Sequence, residues 1–306
     1  MQFAKRVLLL SAVASIWAAN ADAVVNIQNT GASARSVGLG NTFVAIADDP
    51  AAIFANPAGL RQMKNSQIAY TNVSLLYSGV DGGNLGQHII SLVKPMGGRL
   101  SLGLALERIG FEDASENGAF FSLGIKFSKN LSLGVNAKYL FWSANLPAGD
   151  PADDSGGSIG LDLGALWKTP FREATMGVMI KNLNKPNVAG GTVLNESDAG
   201  KLPMDLHLGL SRKAGPKSLV SVEWVTRDFT GDNSVNKLLV GGETKLSEVF
   251  MLRGGGSRFF EDGVDGDLNA GIGWKKNKTR VDYAYHIPLD LVDAGGEHRF
   301  TFTYGL

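Results

Sequence analysis

The sequence predicts an all-β fold: a transmembrane antiparallel β-barrel of about 14 strands, preceded by a small N-terminal hatch of short helical turns. Three observations predict it. Apolar residues recur at every second position in segment after segment, so the chain is extended and has two unlike surroundings. The connections between these segments alternate between short and long. Charge is sorted with them: the long connections carry 16 Asp and Glu against 3 Lys and Arg, the short ones 2 against 10. A soluble β-sandwich also alternates, but it has no reason to sort charge by rim. Short turns on one side and long loops on the other are the habit of outer-membrane barrels.

In chain order, Lys5 and Arg6 precede an apolar run from Val7 to Ala19, and Ala21-Asp22-Ala23 closes it as a small-x-small site. Residues 1–23 therefore have the form of a signal peptide cleaved after Ala23. The run falls short of the roughly 20 residues that a helical span requires, and no later stretch supplies them.

Residues 24–65 form the expected hatch, rich in glycine and alanine. Asp49 can cap a first turn opened by Pro50 and formed by Ala51 to Ala55. Asn56 and Pro57 then impose a second cap and start, because proline fixes φ and suits the first helical position. Fourteen tilted strands enclose more space than their own inward side chains fill, so a compact segment of short turns suits the barrel mouth.

Residues 66–306 form the expected barrel. Leu100, Leu102, Leu104 and Leu106 alternate with Ser101, Gly103 and Ala105; Phe121, Leu123 and Ile125 with Ser122 and Gly124; Leu131, Leu133 and Val135 with Ser132, Gly134 and Asn136. The same period runs through 158–165, 176–180, 205–210, 220–224, 267–275, 278–287 and 299–306. Less clean strands cover 66–77, 87–94, 236–244 and 249–257; the first changes phase between Tyr70 and Val73, which suggests a bulge or a bend. The apolar face is expected to meet outer-membrane lipid, with Trp142, Trp167, Trp224 and Trp274 in an interfacial aromatic girdle. The other face is glycine plus charge, as for a wet or polar lumen. The alternating aromatics of the last strand suit recognition by the barrel-assembly machinery.

Composition excludes several classes of function. The chain has no cysteine, hence no disulfide framework and no thiolate nucleophile, and its near-zero formal charge argues against a nucleic-acid partner. Of the four histidines, His207 shares a strand face with Asp205 and His286 with Asp282. A hydrolase would need such a pair beside a nucleophile or an activated water; a lumenal ion-pair network is the better account. The acidic stretches 149–157 and 260–267 do not follow the EF-hand order, and Gly38-Leu39-Gly40 lacks the context of a phosphate loop. No enzyme activity, cofactor or metal is expected.

Residues 31–60, GASARSVGLGNTFVAIADDPAAIFANPAGL, resemble the N-terminal signature of the PorV/PorQ family, which is related to the FadL/TodX-type outer-membrane transporters. In that wider group an Asn-Pro-Ala motif lies in a hatch that plugs a fourteen-stranded barrel. The resemblance assigns this motif to Asn56, Pro57 and Ala58, followed by Gly59 and Leu60. It implies a barrel of the outer membrane that passes hydrophobic small molecules past its hatch. The inward apolar residues Phe120, Leu140, Leu166 and Met179 are the candidate ligand lining. The alternatives are a PorV-like component of a protein secretion or attachment system, with secretion proteins as partners, and a plugged structural barrel.

Overall fold

Every segment with period-two hydropathy is a strand. The computed structural model describes residues 31–75, 86–110, 114–144, 154–171, 173–188, 200–231, 234–260, 266–289 and 296–306. The expected signal peptide, the first residues of the expected hatch, and most of the acidic stretches 149–157 and 260–267 lie outside them. The strands are β1 (Gln67–Leu75), β2 (Gly86–Pro95), β3 (Leu100–Gly110), β4 (Ala114–Lys126), β5 (Leu131–Ala144), β6 (Asp154–Lys168) and β7 (Ala174–Lys181). The second half is β8 (Asp205–Lys213), β9 (Ser218–Arg227), β10 (Val235–Lys245), β11 (Phe250–Phe259), β12 (Gly266–Lys276), β13 (Thr279–Pro288) and β14 (Glu297–Gly305). Each pairs antiparallel with its neighbour in sequence, and β14 closes on β1.

Strand ends define two rims. The short turns share one rim with the start of β1 and the end of β14, where the Leu306 amide donates to Ser66 O at 2.9 Å. The β12–β13 turn holds only Asn277 and Lys278, and Asn277 takes φ 55°, the left-handed conformation that a two-residue hairpin demands and asparagine tolerates. The segment before β1 enters the barrel from this short-turn rim.

Burial alternates around the wall as the hydropathy does. Leu104, Leu106, Phe121, Leu133, Leu163, Leu208, Val222, Leu252, Ile272 and Phe300 are exposed on the outside. An apolar belt of that extent is far larger than a water-facing surface carries and is the kind of outer face that transmembrane barrels present.

Two local expectations are corrected. β1 has no bulge: its register to β2 runs without a break from Gln67↔Val93 to Ser74↔Gly86, and to β14 from Gln67↔Gly305 to Leu75↔Glu297. The change of phase in hydropathy arises because Val73 faces inward and is buried. Asn72 instead faces out, near His88, which also bonds the Tyr70 hydroxyl at 2.8 Å. Trp142 is not a girdle residue either. It shares the inward face of β5 with Leu140, is buried, and its indole N–H donates to Val188 O at 2.8 Å. Trp167, Trp224 and Trp274 do lie on the outward face.

β7 is short, and of β6 it reaches only Leu163–Lys168, while it pairs along its whole length with β8. Beyond it, the Leu183 amide donates to Leu161 O at 2.8 Å, while the Asn184 side chain accepts from Leu161 N at 2.9 Å and donates to Ile159 O at 2.8 Å. An asparagine amide thus satisfies the strand edge that β7 leaves open.

Arginine at Leu163, mid-strand on the outer belt, is expected to cost about 2–4 kcal/mol of folding stability in bilayers, whereas valine there should cost under about 1 kcal/mol. Urea titration of both variants in phospholipid vesicles measures this. Equal midpoints would show that the face does not meet lipid.

Candidate functional site

The residues before β1 fold as three short helical pieces: α1 (Ala34–Gly38), α2 (Ala52–Ala55) and a 3₁₀ turn over Pro57–Gln62. α1 had no place in the sequence expectation. Its signal is Ser33, which accepts from Ser36 N at 3.1 Å while its own amide donates to the Ser36 hydroxyl at 3.1 Å, a capping box with serine where glutamate is usual. Asp49 Oδ1 accepts from Ala51 N at 3.0 Å ahead of α2. Asn56 caps the 3₁₀ turn, with Pro57 in its first position.

These pieces lie against the inward face of the wall, and glycine is what lets them do so. Gly124, Gly134 and Gly164 stand directly opposite one another across β4, β5 and β6, as do Gly177 and Gly209 across β7 and β8, and Gly241 and Gly255 across β10 and β11. A Cβ on Gly134 would land on the backbone of Pro57 and Ala58; on Gly177, on Val44 O; on Gly241, on Leu39 O. The expected wet glycine face is therefore corrected. At this level the lumen is filled by chain, and the glycines are the seats on which that chain rests.

Asn56 is the most heavily used side chain of the motif. It is fully buried, accepts from Ala58 N at 3.1 Å, and its amide donates to Val44 O at 2.9 Å and to Ala165 O of the wall at 2.9 Å. Bare backbone at Gly164 and Gly177 opens the approach. Pro57, Ala58, Gly59 and Leu60 are buried with it, and Gly59 abuts the Ala47 carbonyl so closely that no side chain fits there.

On the opposite side of the lumen, Arg35 of α1 is the electrostatic anchor. It pairs with Asp48, with Asp49 at 3.1 Å and with Glu243 of β10 at 3.0 Å. Arg253 of β11 extends the network to Glu243 at 2.6 Å and Asp282 at 2.9 Å. Burial alone would lower the Arg35 pKa, but the charges of Asp48, Glu243 and Asp49 together outweigh it and hold the guanidinium well above its ordinary range. Removing one partner of so buried a cluster leaves an uncompensated charge, so the network fixes one arrangement of segment and wall.

Between this segment and the long-connection end of the wall lies a cavity of about 220 Å³. Phe43, Val44, Phe54 and Ala55 form its floor, and Phe120, Leu239 and Phe259 join the apolar part of its side. Phe54 and Phe120 meet edge to face with centroids 4.7 Å apart. Of the four inward apolar candidates, Phe120 lines this cavity; Leu140 packs in the buried cluster beside Trp142, and Leu166 and Met179 are buried in the wall's inner face without lining it.

Charge on the cavity wall is mostly neutralised in pairs. Lys138 meets Asp162 at 2.7 Å, Lys237 meets Asp267 at 2.9 Å, and His207 meets Glu223 at 2.8 Å. Neither same-strand acid–histidine pair is realised as a contact. Asp205 accepts from Asp228 N at 3.1 Å, His286 bonds Asn269 at 2.8 Å, and Asp282 is held by Arg253 and by Arg280 at 2.7 Å.

The overall fold recurs in solved structures. The Pseudomonas putida toluene transporter TodX superposes with a TM-score of 0.65 at 13% identity, covering 89% of this chain and 96% of that one. The CymD monoaromatic hydrocarbon channel gives 0.67 at 14% identity, with 90% and 98% covered. A Pseudomonas aeruginosa FadL homologue gives 0.61 at 14% identity, with 89% and 98% covered. The likeness is one of fold. These neighbours are transporters and channels, not enzymes. At the level of sequence, no protein-family model and no curated protein matches.

The seating generates a matched pair of substitutions. Gly134→Ala places a methyl in the Pro57–Ala58 backbone, whereas the nearest atom to a methyl at Gly254 is Asn269 O at 3.9 Å. Gly134→Ala is expected to leave a heat-modifiable barrel but to raise ion conductance in planar bilayers, with Gly254→Ala unchanged. Asn56→Ala should act in the same direction, through loss of a cap and two anchoring bonds worth about 1–3 kcal/mol together. Wild-type conductance in both Gly134→Ala and Asn56→Ala would mean the segment does not block the lumen.

Proposed function

We propose that this chain is a FadL-like barrel of the outer membrane that passes hydrophobic small molecules inward. The observation that carries this reading is the cavity: a phenylalanine-rich chamber at the long-connection end, floored by the segment that enters from the short-turn rim. TodX and CymD, described as a toluene transporter and a monoaromatic hydrocarbon channel, share the fold that frames it. Ligand enters from the long-connection side, rests among Phe43, Phe54, Phe120 and Phe259, and leaves when the hatch shifts. Residues 1–23 act as a cleaved export signal, 24–65 as the hatch and 66–306 as the lipid-embedded barrel, with the assembly machinery reading the last strand.

A second reading has its own support. The seat is flush, with backbone on glycine along much of the circumference, and it leaves the short-turn end of the lumen filled. That favours a barrel that stays plugged. Membership of the PorV/PorQ family would then make it an attachment component of protein secretion, meeting its partners through the long connections.

Uptake separates the two. Cells carrying the full chain are expected to take up labelled toluene faster than cells without it, and Phe120→Arg should abolish the gain. Uptake unaffected by the protein, together with a protein cross-linked to the long connections, would favour the secretion reading. Orientation is tested by cysteine labelling with an impermeant reagent in intact cells. Thr230→Cys should label and Lys276→Cys should not; the reverse would invert the barrel.

A further inference from the structure

Two of the charged groups on the cavity wall that stand outside these pairs are Glu107 and Lys181. Glu107 of β3 is only 5% exposed; Gln87 donates to its Oε1, while Oε2 has no hydrogen-bond partner. Lys181 at the end of β7 also faces the cavity, and among the described residues no ion pair or hydrogen bond engages its ammonium. Its cross-strand neighbour Asp205 is occupied by the Asp228 amide.

A buried acceptor without a donor is costly, and such groups in native proteins call for an explanation. Here a carboxyl group with an open acceptor and an ammonium with open donors line the same chamber without bonding each other, so each can take a group that the other cannot. A ligand with one charge would satisfy one and leave the other. A ligand with an ammonium and a carboxylate satisfies both.

Size and apolar lining set the rest. About 220 Å³ is below the roughly 300–1,000 Å³ of pockets that take drug-sized molecules, so the occupant is small. Phe43, Phe54, Phe120 and Phe259 surround its body with aromatic surface.

We infer that the cavity binds a small zwitterion with an apolar or aromatic side chain, of amino-acid size, its ammonium on Glu107 and its carboxylate on Lys181. This rests on the passage reading and adds to it a preferred occupant of the chamber, an amphipathic zwitterion. The chemistry on the page is a polar site inside an apolar chamber. A neutral hydrocarbon can pass among the phenylalanines but leaves the buried Glu107 Oε2 without a partner, so it is held there more weakly.

The test is calorimetric titration of the detergent-purified full chain with four probes. These are L-phenylalanine, 3-phenylpropionate (no ammonium), phenethylamine (no carboxylate) and toluene (neither). L-Phenylalanine is expected to bind about tenfold or more tightly than each of the others, as for one added charge-assisted hydrogen bond. Glu107→Gln should remove its advantage over 3-phenylpropionate, and Lys181→Gln its advantage over phenethylamine. Both variants should retain heat-modifiable barrel. Toluene binding as tightly as L-phenylalanine, insensitive to both variants, overturns the zwitterion and leaves the passage reading intact. Binding of none of the four, with toluene uptake also independent of the protein, overturns both.

Discussion

Backbone-to-backbone contact between the N-terminal segment and the barrel wall is the constraint on which the rest depends. A closed barrel of fourteen strands has a lumen, and a lumen filled by side chains alone would need large residues at every inward position. This chain does the opposite. It bares the wall with glycine on β4 to β8 and again on β10 and β11, and lays a second layer of chain on it. Long helices cannot follow a curved inner wall at that distance, which is why the segment consists of turns of four to six residues; Ser33 and Asn56 cap two of them, and Asp49 holds the Ala51 amide just ahead of the third.

A buried second layer must satisfy its own polar groups. The seat is buried, so backbone carbonyls such as Val44 O need donors from the segment or the wall. Asn56 answers for the 3₁₀ turn, and Glu223 accepts the Val44 amide at 3.1 Å. Arg35, with carboxylates from its own segment and from β10, does the same for charge. Glycine permits the approach and these three side chains make it specific. A purely apolar plug could slide or rotate on a smooth wall; this one has one register.

The architecture was legible in the sequence because each strand separates lipid from lumen, and period two survives wherever the two sides differ. Where they do not, the reading failed. Val73 is apolar on the inward side and Asn72 polar on the outward side, which imitates a bulge in a strand that has none. Trp142 sits at a strand end, where tryptophan suggests an interface, but its parity with Leu140 puts it inside. The Asn56–Pro57 cap was legible because local geometry suffices to define it. The meaning of the glycines was not, since an open polar lumen and a lumen packed with backbone demand the same small residue. Nor could the sequence single out Glu107 and Lys181. They are two inward charges among many until the pairing of Lys138, Lys237 and His207 is known.

The flush seat and the cavity then constrain each other. The glycine contacts hold the floor, so Phe43, Val44 and Phe54 present a fixed apolar surface to the chamber above. The same stretch that carries Phe43 also carries Leu39 and Val44, whose carbonyls rest on Gly241 and Gly177. Any displacement that opened a way past the floor would lift these carbonyls off the wall and break the Asn56 bonds to Val44 O and Ala165 O. On the proposed passage reading, a ligand would meet the floor and the strand residues Phe120, Leu239 and Phe259 with its apolar part and the charged strand residues with its polar part, and only the floor can move without unpairing the barrel. Opening, on that reading, would be coupled to the chamber through Phe43, Val44 and Phe54. On that reading the apolar body of a ligand would press on the movable layer, while its polar groups would be read by the immovable one.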